Sequence, residues 1–204
     1  MADHSLFMTL SEAEELSRDL AAKIRLCQPD LLVGLANGAL LPTKIAADSI
    51  QTPYEIIHVR RRATRYKHRA YNLLRVFRIP TTIFHWGPFR WLIIRMVNNR
   101  YRDLEQADNS FTFSVKGKHI VIVDDVVHTG ASVNHVRDQL IKEGAARITV
   151  AVLYWYQGFG DSGEWAPDIY LNRGDGRWYP WSFNSPYHKD YLEWLAAHDL
   201  VASA

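Results

Sequence analysis

The 204-residue chain contains a single cysteine, Cys27. One cysteine excludes an internal disulfide framework and gives no basis for a cysteine-based metal cluster. The first five residues, Met-Ala-Asp-His-Ser, also lack the basic region and apolar core of a secretory signal. We therefore expect a cytoplasmic protein.

The sequence also lacks a hydrophobic run long enough to cross a membrane. The apolar stretch within residues 84–101 is interrupted by Arg95 and falls far short of the roughly 20 apolar residues that a span requires. There is no repeat, no low-complexity tract and no linker rich in Gly, Pro or Ser. Since a chain of this length can bury about 70% of its unfolded surface, we expect residues 1–204 to form one domain.

Acidic residues are absent between Arg60 and Arg102, a span that carries twelve of the 24 Lys and Arg residues. Such a run is most often a solvated face. Here the arginines alternate with large apolar side chains, which need a fold or a partner to cover them. We therefore predict a basic, aromatic-rich helical insertion over about residues 61–112 that packs on the domain or on a second subunit, as in a homodimer. A nucleic-acid surface and an interfacial membrane element are less favoured alternatives.

Apolar periodicity predicts alternating strands and helices. Ser11-Glu12-Ala13-Glu14 is typical of a capping box that starts a first helix, and Gly144 would end a later helix over residues 132–143. This alternation indicates an α/β fold, a doubly wound parallel sheet whose ligands bind at the carboxyl ends of the strands. Strands are expected at residues 31–35, 54–60, 119–123, 147–155 and 168–171.

Residues 121–132, Val-Ile-Val-Asp-Asp-Val-Val-His-Thr-Gly-Ala-Ser, combine a buried strand with an anion-binding loop. The β-branched run is typical of a central parallel strand, with Asp124 and Asp125 at its carboxyl end. The small residues 129–132 can wrap backbone N–H groups around a phosphate at the start of a helix. Two carboxylates would repel a bare phosphate but can accept hydrogen bonds from ribose hydroxyls. The segment therefore predicts a sugar-phosphate site, although a strand, an Asp-rich turn and a Ser N-cap need no ligand.

This segment closely resembles the 5-phosphoribosyl-1-pyrophosphate (PRPP) motif of type I phosphoribosyltransferases. The motif consists of an apolar strand, two acids, two apolar residues, a variable residue and Thr-Gly-x-Ser/Thr. The resemblance implies the type I fold, with a C-terminal hood at about residues 156–204. It also implies transfer of a phosphoribosyl group from PRPP to a nitrogenous base or amine, with release of pyrophosphate. The PRPP-binding residues would be Asp124, Asp125, Val126, Val127, His128, Thr129, Gly130, Ala131 and Ser132.

The resemblance further implies sites for the pyrophosphate and for Mg²⁺. In the family, the turn after the first core strand offers backbone N–H groups to the pyrophosphate, often beside basic residues that follow the second strand. Those positions are Ala36, Asn37, Gly38, Arg60, Arg61 and Arg62. Because Mg²⁺ keeps several waters and prefers phosphate oxygens, it would bind with the pyrophosphate and reach Asp124, Asp125 and Asp175 through water.

His128 and Asp125 are the candidate catalytic residues. Purine-salvage members usually carry Asp at the position of His128 and a Lys near the end of the following strand. An imidazole, with an unperturbed pKa of about 6.5, can still exchange a proton with the acceptor. The strand end offers Tyr154, Trp155 or Tyr156 in place of Lys, so a standard hypoxanthine or guanine enzyme is not favoured. The acceptor-binding residues would be Trp155, Trp178 and Tyr179.

Two other functions use the same fold. A regulatory protein that senses PRPP or a nucleotide would need the two acids and the small loop as much as an enzyme does. Its basic residues 60–102 could then hold RNA or DNA phosphates. A ribose-phosphate pyrophosphokinase is not favoured because that family uses two copies of the fold.

Overall fold

The computed structural model describes residues 7–35, 37–57, 111, 113–156, 165–173 and 177–201, and only the backbone of Asn37. Of the insertion predicted at about residues 61–112, only residue 111 is among the described residues. Five of the predicted site residues also lie outside them: Ala36, Arg60, Arg61, Arg62 and Asp175.

Five parallel strands form one sheet in the order β2-β1-β3-β4-β5. The strands are β1 Leu31–Leu35, β2 Tyr54–Ile57, β3 His119–Val127, β4 Arg147–Trp155 and β5 Ile169–Arg173. The sheet confirms the predicted α/β fold. β3 runs beyond its predicted end at residue 123, because its ladder with β4 continues as far as the pair Val127 and Trp155. Both acids of the sequence motif therefore lie inside the strand.

Four helices lie in the described part of the chain: α1 Leu10–Arg25, α2 Leu40–Ile50, α3 Ala131–Lys142 and α4 His188–Ala197. The capping box predicted at Ser11-Glu12-Ala13-Glu14 is wrong. Thr9 caps α1 and exchanges hydrogen bonds with Glu12. The earlier start brings Leu10 into the helix, where it packs against a buried cluster that contains Leu40. Among the described residues, no helix combines the length and hydrophobicity needed to cross a membrane.

Helices cover both faces of the sheet. The chain moves from β1 to β2 in one direction and from β3 to β4 in the other, so right-handed crossovers place α2 and α3 on opposite faces. Helix α1 packs with α2 over strand residues such as Leu32, Val121 and Leu153. This two-sided cover explains why the central strands are continuously apolar rather than alternating.

An ion pair joins the start of α1 to the C-terminal segment, residues 177–201. Arg177 donates to both carboxylate oxygens of Glu12, at 2.9 and 3.2 Å, and to the backbone oxygen of Phe7 at 2.6 Å. The Arg177 hydrogen bond, followed by the backbone bond to Thr9, lowers the pKa of Glu12 from 4.5 to about 2. Since this pKa is lower in the folded protein, ionised Glu12 stabilises the fold above about pH 4.5. That stabilisation is lost as the pH falls towards 2.

We expect Glu12→Gln to lower the free energy of unfolding at pH 7 by about 1 kcal/mol. The amide keeps the capping bond to Thr9 but loses the charge. The effect is small because the Glu12 side chain is 43% exposed, and solvent screens the pair. Urea titrations from pH 7 to pH 2 measure the difference, and the exposed Glu15→Gln in the same helix is the control. If Glu12→Gln lowered the free energy of unfolding equally at pH 7 and pH 2, the stabilisation could not come from the ion pair.

Candidate functional site

The candidate site lies where the direction of the chain across the sheet reverses, between β1 and β3. Pairing between these strands is last seen at Gly34 and Val123. Beyond that point β3 continues beside β4 alone, next to the short 3₁₀ turn Asn37–Ala39. In open α/β sheets a divergence of this kind forms a crevice. Ligands of open α/β sheets bind at such switch points. The two segments singled out from the sequence therefore meet at one edge of the sheet.

Asp124 and Asp125 occupy successive positions of β3, so their side chains leave opposite faces of the strand. Asp124 is 6% exposed, and its Oδ1 accepts a hydrogen bond from the backbone N–H of Asp125 at 2.9 Å. Asp125 is half-buried. The two carboxylates thus differ in environment, which their adjacent places in the sequence do not reveal.

The Asp125 carboxylate is held from three sides. Its Oδ1 accepts from the backbone N–H of Val126 at 2.7 Å, and its Oδ2 accepts from the indole Nε1–H of Trp181 at 2.6 Å. Gly38 closes the third side, because a Cβ atom at this position would lie 2.6 Å from Asp125 Oδ1. The turn after β1 and the acid in β3 are therefore in direct contact, and only glycine fits between them.

The loop after β3 leads directly into a helix. His128 and Thr129 are exposed, and Gly130 caps α3 with φ +70°. Helix α3 starts at Ala131, one residue earlier than predicted. The N–H of Ala131 donates to the Thr129 hydroxyl at 3.4 Å, and the N–H of Asn134 donates to the Gly130 carbonyl at 2.7 Å. A small-residue loop at the positive end of a helix is a suitable place for an anion.

Trp165 packs directly on this loop. A Cβ atom at Gly130 would lie 2.7 Å from ring carbon Cε3 of Trp165. Sequence reasoning missed this residue, because nothing in the local pattern links Trp165 to a loop more than thirty residues earlier. Together the ring and the positive φ require glycine at position 130.

We expect Gly130→Ala to destabilise the fold more than Gly117→Ala does. Both glycines have positive φ, +70° and +74°, so both variants incur the left-handed strain of about 1–2 kcal/mol. A Cβ at Gly117 meets nothing within 4 Å, whereas a Cβ at Gly130 displaces the Trp165 ring. This overpacking adds about 1–3 kcal/mol. Equal free energies of unfolding for the two variants, in parallel urea titrations, would show that Trp165 does not confine the loop.

His128 and Tyr156 lie side by side at the end of the β3–β4 ladder. Their ring centroids are 4.6 Å apart at an interplanar angle of 56°. The backbone N–H of Tyr156 donates to the Val127 carbonyl at 2.9 Å, which continues the strand pairing. Tyr156 is one of the three residues predicted to stand where purine-salvage enzymes place a Lys, and its ring contacts His128.

The predicted acceptor residues lie in different environments. Trp178 is 53% exposed, while Tyr179 and Trp155 are 3% and 7% exposed. Tyr179 stacks on Trp181, and Trp155 packs under the Arg173 guanidinium at 4.6 Å. Acceptor binding by these three residues stays a prediction, and of the three the Trp178 side chain is the accessible one.

The described residues contain no cluster of three or more His, Cys, Asp or Glu side chains that could enclose a metal ion. Asp125 contacts the turn after β1, and its carboxylate is a hard oxygen donor of the kind that Mg²⁺ accepts. The Asp124 side chain leaves the opposite face of β3. A Mg²⁺ ion that reaches Asp124, Asp125 and Asp175 through water stays a prediction.

Comparison with known proteins identifies the sequence pattern and the fold. The family model for the phosphoribosyl transferase domain matches residues 9–177. No curated protein matches the sequence significantly.

Solved structures of similar fold include a purine phosphoribosyltransferase from Pyrococcus horikoshii, 23% identical, with a TM-score of 0.58 over 86% of this chain and 91% of that one. The xanthine-guanine-hypoxanthine phosphoribosyltransferase of Helicobacter pylori is 12% identical, with a TM-score of 0.56 over 92% and 97%. A hypothetical protein from Neisseria gonorrhoeae with bound ppGpp is 14% identical, with a TM-score of 0.55 over 94% and 96%. At these identities the likeness shows the fold alone.

Proposed function

Because the chain belongs to the phosphoribosyl transferase domain family, we propose that it transfers the 5-phosphoribosyl group of PRPP to a nitrogenous base or amine. The reaction forms a bond between an acceptor nitrogen and C1 of the ribose, and it breaks the bond from C1 to the pyrophosphate oxygen. Positive charge develops on the ribose as pyrophosphate leaves. The protein's tasks are mainly to orient PRPP, to exclude water and to stabilise charge.

The observation that carries this proposal is the contact of Gly38 with the Asp125 carboxylate in the crevice between β1 and β3. It joins a backbone turn suited to an anion with an acid suited to ribose hydroxyls, beside the loop that begins α3. A site for phosphate alone would not place a carboxylate against the anion turn. PRPP carries both chemical groups, since its ribose bears hydroxyls at one edge and phosphates at two ends.

Each part of the crevice then has a role in the proposal. Asp125 accepts hydrogen bonds from the ribose hydroxyls, and the loop at residues 126–132 holds the 5′-phosphate. The backbone of Asn37 and Gly38 faces the pyrophosphate. Mg²⁺ bound to the pyrophosphate would offset its negative charge. His128, which is exposed at the mouth of the loop, exchanges a proton with the acceptor.

The acceptor is best sought first among purines, because two of the structures with this fold are named for purine substrates. Tyr156 replaces a cation at the end of β4, so an acceptor that depends on a charged Lys is disfavoured. Trp178 offers an exposed ring on which a base can stack, and such stacking is worth about 1–3 kcal/mol whatever the base.

Pyrophosphate release tests the proposal. The protein is incubated with PRPP and each of a set of purines, pyrimidines and simple amines, with Mg²⁺ and with Mg²⁺ removed by a chelator. We expect release with at least one acceptor, and we expect it to depend on Mg²⁺. PRPP binding without release for any acceptor would contradict the enzymatic proposal.

A regulatory protein that binds a nucleotide is the second candidate, and it is favoured by the Neisseria gonorrhoeae protein with bound ppGpp, which matches nearly the whole chain. Binding of PRPP or ppGpp, measured by calorimetry on protein that releases no pyrophosphate, would support this candidate. Sedimentation with labelled RNA tests the accompanying role of the basic residues 60–102. Tight binding that weakens steeply with salt would favour the regulatory candidate.

A further inference from the structure

Trp181 connects the C-terminal segment to the acid of the crevice. Its indole Nε1–H donates to Asp125 Oδ2 at 2.6 Å, across 56 residues of sequence. Bonds to a charged acceptor are short and strongly directional. An indole nitrogen has no second role here, because it can donate but cannot accept.

Trp181 is itself held in place by buried aromatic rings. It stacks on Tyr179 with ring centroids 4.5 Å apart and an interplanar angle of 8°, and it meets Tyr191 of α4 at 5.8 Å. Tyr179 and Tyr191 are 3% and 1% exposed. The indole therefore cannot swing away without disturbing the core, so its N–H points at Asp125 before any ligand arrives.

The aromatic cluster brings no competing charge to the carboxylate. Burial raises the pKa of Tyr179 and of Tyr191, and the nearby Asp125 carboxylate raises both further. Both phenols stay neutral at any pH at which the protein would work. The negative charge in this part of the site belongs to the acids of β3.

The Asp125 carboxylate is left with one available orientation. Val126 N–H and Trp181 Nε1–H each bind one oxygen, and Gly38 blocks rotation on the remaining side. Each carboxylate oxygen can accept a second hydrogen bond, so the group can still bind a hydroxyl. Without Trp181, Oδ2 would have no fixed partner among these contacts.

We propose that Trp181 is a positioning residue for ribose recognition, holding the Asp125 carboxylate in the orientation that accepts a hydroxyl of PRPP. This inference rests on the proposed function and extends it. It makes the C-terminal segment part of the PRPP site as well as of the acceptor site. The indole acts through Asp125 and touches no substrate atom.

The direct test is Trp181→Phe, which preserves an aromatic ring for the Tyr179 stack and removes the donor. We expect the affinity for PRPP to fall about tenfold, since a bond to a charged group is lost while the carboxylate is retained. The KM for PRPP should rise by a similar factor with kcat changed less. Trp194→Phe is the matched control, because Trp194 in α4 stacks on His198, which follows the helix, and its ring contact is with that residue rather than with Asp125. Equal PRPP affinities for the Trp181 and Trp194 variants would overturn the inference.

A double-mutant cycle distinguishes positioning from a purely structural role. If Trp181 acts through Asp125, then Trp181→Phe should weaken PRPP binding in the wild type and have no further effect in Asp125→Ala. A structural role would weaken binding by the same factor in both backgrounds. That additive result would overturn the inference even if the single variant binds poorly.

NMR signals of the indole N–H groups distinguish a failure of this inference from a failure of the proposed function. The chain has seven tryptophans, and Trp181→Phe identifies the N–H signal of Trp181 by its loss. We expect that signal to shift in Asp125→Ala, and to shift in the wild type on addition of PRPP. If the signal depends on Asp125 but PRPP does not bind, the proposed function is wrong although the hydrogen bond from Trp181 to Asp125 is confirmed. If PRPP binds and the signal does not move, the positioning role fails alone. Should Trp181→Phe not fold, the signal can be assigned in the wild type and the PRPP titration remains decisive.

Discussion

Replacing His128 by alanine is expected to lower turnover by about 10²–10⁴-fold, the usual cost of losing a general acid or base. His128 is the variable residue of the PRPP motif, and it lies exposed at the end of β3 beside the ring of Tyr156. An imidazole in this position can exchange a proton with an acceptor nitrogen at neutral pH. The affinity for PRPP should change little, because the acids and the anion loop are intact.

Steady-state kinetics at saturating acceptor, together with calorimetry for PRPP, would measure the two effects separately. His135→Ala in α3 is the control, since His135 lies in the helix beyond the loop. Wild-type turnover in His128→Ala would show that His128 only fills space in the loop. A parallel loss of PRPP affinity would instead indicate that His128 helps to shape the phosphate site.

Asp125→Asn should weaken PRPP binding by about one to two decades. A charge-assisted bond to a ribose hydroxyl becomes a neutral one, and bonds to charged groups are worth roughly 1.5–3 kcal/mol against about 1 for neutral ones. The structure adds a second reason. Both carboxylate oxygens of Asp125 accept hydrogen bonds, from Val126 and from Trp181, and an amide has only one acceptor oxygen. One of the two donors must then face an NH₂ group.

Calorimetry on the folded variant would measure the loss of PRPP affinity. Asp138→Asn, at an exposed position of α3, is the control for removing one negative charge. Unchanged affinity in Asp125→Asn would contradict the ribose assignment. A large loss of stability would instead show that the acid serves mainly to anchor Trp181. Urea titration of the same protein separates these outcomes.

The sequence by itself determined the fold class, the approximate positions of the strands, and the position of the small-residue loop that precedes α3. These features depend on local patterns: β-branched runs for buried strands, small residues for a tight loop, and a helix after it. The PRPP motif is contiguous, so its residues could be identified without knowing what packs beside them. The capping box was misplaced because Thr9 and Ser11 both have a Glu three residues later. Tertiary contacts distinguish them, since Leu10 packs against a buried cluster and Arg177 binds Glu12.

Only the tertiary structure decided which side chains complete the site. Trp181 reaches Asp125 across 56 residues, Gly38 meets the same acid from the turn after β1, and Trp165 covers Gly130. No local pattern encodes such partners, because they depend on how β1, β3 and the C-terminal segment converge. The Trp-Tyr-Pro-Trp cluster illustrates the limit: its aromatic residues look alike in sequence, yet Trp178 is exposed while Tyr179 is buried. Burial of an aromatic ring depends on what packs over it, and Tyr179 lies in the cluster that contains Leu20 of α1 and Ala46 of α2, which come much earlier in the chain.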